Sequence, residues 1–106
     1  MNEAVSRLRR DYMPPFLSYL TRRDEEGLRA AYELGRNAML SKISLLHLVQ
    51  VRHTVLIDVL VTAKTTAELE DIGRAAAEFL VDALSSFEMT QRGFIEKTSE
   101  LKERDA

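Results

Sequence analysis

The chain has 106 residues, with 15 basic and 17 acidic side chains and a net charge of −2. That length suits one domain with its own core, and the absence of cysteine excludes a disulfide framework, thiolate metal sites and a cysteine nucleophile. The acidic balance argues against a nucleic-acid footprint, which is normally basic. Only four glycines and two prolines interrupt the chain, which points to helices and away from turn-rich β folds.

Apolar spacing predicts four helices. The first runs from about Glu3 to Thr21, with Val5, Leu8, Tyr12, Phe16 and Leu20 at three- and four-residue steps. Pro14-Pro15 lies inside it, and a break or kink is expected near Asp11–Pro15, because proline lacks a donor and clashes with the preceding turn. Asp24 reads as the N-cap of a second helix, with Glu25 and Glu26 in its first turn, where negative charge suits the macrodipole. Its stripe is Leu28, Ala31, Tyr32, Gly35, Ala38 and Met39, ending near Lys42. Gly35 within that stripe predicts close approach of another helix.

Ser44 can cap a third helix, Leu45 to about Thr62. Its apolar positions cover an arc of roughly 200°, whereas a surface helix needs about 100°. The polar remainder is His47, Gln50, Thr54 and Asp58. Such a helix must be covered from two directions, by the bundle and by a second surface. Thr65-Thr66 with Glu68 opens the fourth helix as a capping signal. Its stripe of Leu69, Ile72, Ala76, Phe79, Leu80, Ala83, Phe87 and Phe94 continues to about Glu103, a span of roughly 55 Å at 1.5 Å per residue. Beyond Ile95 the stripe thins to Leu101 among charged residues, so this end overhangs the core.

No site for chemistry emerges. The two histidines, His47 and His53, lie about 120° apart around one helix and cannot share a metal. His53 falls within the apolar arc, as a partly buried or interface residue, and His47 is expected in solvent. No Glu-x-x-His pair, glycine-framed serine or glycine-rich phosphate loop occurs. Arg7, Arg9, Arg10, Arg22 and Arg23 alternate with Glu3, Asp11 and Asp24 and read as a solvated surface. The apolar stretch Leu45–Val61 carries six polar residues, which excludes a membrane span, and the charged start, Met1 to Arg7, lacks the apolar region of a signal peptide.

Three stretches resemble a known family. Glu26 to Ala38, containing Ala31-Tyr32-Glu33-Leu34-Gly35-Arg36, resembles its AYELGR core. Ser44-Leu45-Leu46-His47-Leu48-Val49, followed by Arg52-His53, is similar to its SLLDLV…HH stretch. Glu78-Phe79-Leu80, then Ser86-Phe87-Glu88-Met89 and Arg92-Gly93-Phe94, are similar to its EFL…PFEM-RGF end. The family is the N-terminal domain of RsbU-type phosphoserine phosphatases, grouped with the KaiA C-terminal fold. Arg52 stands in place of the first histidine of the usual pair, and His47 where an acidic residue is common. The resemblance implies homodimers of four-helix subunits that bind an RsbT-like switch kinase. They relay activation through a helical linker to a PP2C-type phosphatase acting on an anti-anti-sigma factor.

The expectation is therefore one all-α domain over residues 1–106, an up-down four-helix bundle with about 96–106 as an overhang or linker start. It is expected to be a cytoplasmic, non-catalytic dimerisation and protein-binding module of stress signalling, without cofactor, metal, nucleic acid or membrane. Val51, Val55 and Val59 are the expected dimer interface; Glu25, Arg29, Val81 and Ser85 are the expected partner patch. The alternative is a small-ligand sensor with a pocket between helices around Gly35, His53 and Phe79.

Overall fold

The computed structural model describes residues 3–105, with side chains for 3–97. Its elements are α1 (Glu3–Arg22), α2 (Glu25–Leu40), α3 (Leu45–Leu60) and α4 (Thr66–Asp105), with no strand among the described residues. The architecture is an all-α four-helix bundle.

Local signals set most of the ends. Asp24 caps α2 by accepting from Gly27 N at 3.0 Å, and Ser44 caps α3 by accepting from His47 N at 3.2 Å. Thr65 Oγ1 accepts from Glu68 N at 3.1 Å, while the Glu68 carboxylate accepts from Lys64 N at 2.6 Å, a reciprocal arrangement that satisfies two otherwise orphaned donors. Arg23 and Lys42, following α1 and α2, take left-handed backbone angles with φ of 49° and 61°.

The expected break in α1 does not occur: the helix runs unbroken from Glu3 to Arg22 through Pro14 and Pro15. The two missing N–H donors would have bonded to the carbonyls of Arg10 and Asp11, four residues earlier. Both of those residues are exposed, so water can satisfy the carbonyls. On the opposite face, Leu8, Tyr12, Phe16 and Tyr19 are buried. Tyr12 and Phe16 each meet Phe79 edge-on, with ring centroids 5.1 and 5.5 Å apart. Burial of these aromatic rings, each contributing on the order of 2 kcal/mol, offsets much of the penalty of the prolines.

The closest helix pair is α2 and α4. Gly35 makes it possible, since a Cβ there would lie 1.9 Å from the carbonyl oxygen of Ala83 and 2.2 Å from Ser86 Oγ. Ser86, wholly buried, donates to the Tyr32 carbonyl at 2.5 Å across this contact. α1 packs on α2 and α3, whereas α2 and α3 barely touch. α3 is therefore a flanking helix with one side left open. α4, at 40 residues, is about 60 Å long and accounts for the 62 Å length of the molecule. Met89, Phe94 and Ile95 are all exposed along it. The last expected member of its stripe, Leu101, lies outside the described side chains.

Candidate functional site

α3 presents two apolar faces. Leu48, Val51, Val55 and Val59 point into the bundle, Val55 with no exposure at all. About 180° away, at 100° per residue, lies Leu46, flanked by His53 and Ile57. Leu46 is 65% and Ile57 57% exposed, and Val49, Leu56 and Leu60 are partly buried beside them. This corrects one expectation. Val51, Val55 and Val59 belong to the protomer's own core and offer no surface to a second chain. His53 is exposed, with Nδ1 3.3 Å from Arg52 Nη1. The wide arc has the predicted extent, but the outward side is the one carrying Leu46 and Ile57.

The residues expected to bind a partner are all at the surface. Glu25 and Arg29 lie one turn apart on the outer side of α2, and Val81 and Ser85 one turn apart on the outer side of α4. Val81 is 59% exposed. The rigid α2–α4 contact fixes the two helices relative to each other, though no hydrogen bond or ion pair among the described residues joins the two pairs of side chains. The small-ligand alternative fails at its expected place. Gly35 is packed against Ala83 and Ser86, Phe79 is fully buried in the core, and His53 is on the outside.

Two features had no sequence signal. The first is a polar cluster at the α1–α2 turn. Arg23 bridges Asp71 at 2.6 Å and Glu78 at 3.0 Å, its guanidinium stands over the Tyr19 ring at 5.6 Å, and the Tyr19 hydroxyl donates to Glu78. Burial, then the neighbouring Glu78 carboxylate, raises the Tyr19 hydroxyl pKa. The hydrogen bond from Tyr19 holds Glu78 below the usual carboxylate range, opposed by burial and supported by the hydrogen bond and charge of Arg23. The cluster ties the turn to the first half of α4.

The second is an open groove of about 780 Å³ between α1 and α3, lined by apolar Val5, Met13 and Val51 and by polar groups of both helices. The polar remainder of α3 faces it, since Gln50, Thr54 and Asp58 are on its wall. Arg9 reaches across to Asp58 at 3.5 Å. Among the described residues no group of three or more metal-ligating side chains is assembled, and no helix is long and apolar enough to cross a membrane.

The molecule is an all-α four-helix bundle with a closely packed helix pair, an uncovered apolar helix face and a last helix outrunning the core. A family model described as phosphoserine phosphatase RsbU, N-terminal domain, matches residues 10–90. The chain belongs to that family, whose members are regulatory domains of signalling phosphatases in sigma-factor control. The match covers the N-terminal regulatory domain and not the catalytic phosphatase domain. No curated protein and no solved structure matches the chain significantly.

Proposed function

We propose that this domain is a non-catalytic dimerisation and partner-binding module of a bacterial partner-switching stress pathway. In this reading it captures an RsbT-like switch kinase and passes the binding event to a PP2C-type phosphatase. The observation that carries the proposal is the outer face of α3. Leu46 and Ile57 are more than half exposed at the centre of an apolar strip, and covering each contributes on the order of 2 kcal/mol. A second copy supplies that cover: Leu46, Val49, Ile57 and Leu60 are disposed symmetrically at seven and four residues either side of His53. Two antiparallel α3 helices related by a two-fold axis would therefore present the same strip to each other.

The kinase-docking surface is the outer side of α2 and α4, around Glu25, Arg29, Val81 and Ser85. The relay is α4, which leaves the bundle as a continuous helix and can carry a rotation or shift of its packed half to whatever follows. Capture of the switch kinase by the immobilised domain tests the docking surface. Val81→Asp or Glu25→Lys should weaken capture at least ten-fold while helicity stays unchanged, and unaltered capture by both variants would remove this surface from the account.

A further inference from the structure

We propose that the groove between α1 and α3 is a binding site for a small amphipathic carboxylate, an alkyl chain ending in one carboxyl group. Its volume of about 780 Å³ lies within the range of ligand sites, about 300–1,000 Å³. The chemistry of the wall selects the ligand class. Val5, Met13 and Val51 give an apolar floor, and Val5 and Met13, eight residues apart on α1, are separated by about 12 Å along the helix. That length suits an extended alkyl chain lying along the helices.

The charge at the rim is unbalanced. Arg9 and Arg10 both line the groove, and Asp58 is the one carboxylate there. Asp58 is engaged by Arg9, while Arg10 has no acidic partner among the described residues. A guanidinium offers two parallel donors, matching the two oxygens of one carboxylate. The unpaired Arg10 therefore calls for a single carboxyl group beside an apolar tail. A docked protein helix fits less well: the floor has three apolar side chains, and Gln50, Thr54 and Ser6 interrupt it.

The site adjoins the proposed dimer face at Gln50, one turn from Leu46, but its Thr54 and Asp58 wall and its α1 wall lie on a different side from Leu46 and Ile57. Either can fail without the other. A ligand carboxylate entering here would also compete with Asp58 for Arg9, one of the contacts between α1 and α3.

The test is a titration of the 106-residue chain with decanoate below its micelle concentration, followed by amide chemical shifts and calorimetry. Decanol and acetate serve as single-feature controls. Decanoate should shift residues of segments 5–13 and 50–58 and bind at least ten-fold tighter than either control. Arg10→Glu, an exposed substitution, should lose that ten-fold preference and instead favour decylamine. Equal binding of decanoate and decanol, shifts confined to the Leu46–Ile57 face, or no binding would overturn the proposal. So would an acidic amphipathic helical peptide occupying the groove where decanoate does not, or groove shifts that depend on protein concentration alone.

Discussion

A Cβ placed on Gly35 would sit 1.9 Å from the carbonyl oxygen of Ala83, so the spacing of α2 and α4 is set by the absence of a single side chain. No rotamer change relieves a clash with backbone. Gly35→Ala must push the helices apart, strain the Ser86–Tyr32 hydrogen bond and open the core around Ala31 and Ala38. It is expected to destabilise the fold by about 3 kcal/mol or more, read as a shift of the denaturation midpoint. Gly73→Ala is the counterpart. That position has open space around it, so removing a helical glycine should stabilise by about 0.5–1 kcal/mol.

Tyr12 is nearly fully buried, yet its hydroxyl has no hydrogen-bond partner. A buried orphan hydroxyl carries its desolvation penalty uncompensated. Tyr12→Phe keeps the ring contacts with Phe16 and Phe79 and should raise stability at neutral pH by about 1 kcal/mol. Burial, opposed by the Arg52 charge, also pushes this hydroxyl well above its ordinary value of 10.0. The folded state then resists ionisation more than the unfolded chain does. The stability so contributed is present below pH 10 and is lost as pH rises beyond it. Thermal melts of Tyr12→Phe should therefore fall less steeply above pH 10 than those of the parent.

Glu78 titrates in the opposite sense. Its folded pKa is depressed below 4.5 by the Tyr19 hydrogen bond and the Arg23 charge, so its stabilising effect is complete above pH 4.5 and is lost as the pH falls through the folded value. Glu78→Gln should flatten the acid limb of the stability profile below pH 4.5 and leave the limb above pH 6 parallel to that of the parent. Because the carboxylate is half exposed, the effect should shrink in high salt.

Much of the fold was legible because its signals are local. Asp24, Ser44 and the Thr65/Glu68 pair mark helix starts within three residues of the donors they satisfy, and Gly35 announced a close helix contact. Two misreadings have definite causes. The penalty at Pro14-Pro15 depends on the exposure of Arg10 and Asp11, which only the folded bundle reveals. The 200° arc of α3 located its apolar residues but could not say which half turns inward, since Val55 and Ile57 are equally apolar. The Arg23–Asp71–Glu78–Tyr19 cluster had no signal, as its members are brought together from about 50 residues apart. The α1–α3 groove had none either, because a wheel of one helix does not show the gap beside its neighbour.

Val55 and Ile57, two residues apart on α3, separate the core from the proposed dimer face. Val55→Asp places a charge in the bundle and should unfold the domain, whereas Ile57→Asp, two residues on, should leave helicity and the melting transition intact.

Sedimentation equilibrium of the parent and of Ile57→Asp at tens of micromolar distinguishes a paired α3 face from a free one. The parent is expected at twice 12.1 kDa and Ile57→Asp at the monomer mass with unchanged helicity. A parent that stays monomeric, or an Ile57→Asp variant that dimerises like the parent, would contradict a paired α3 face.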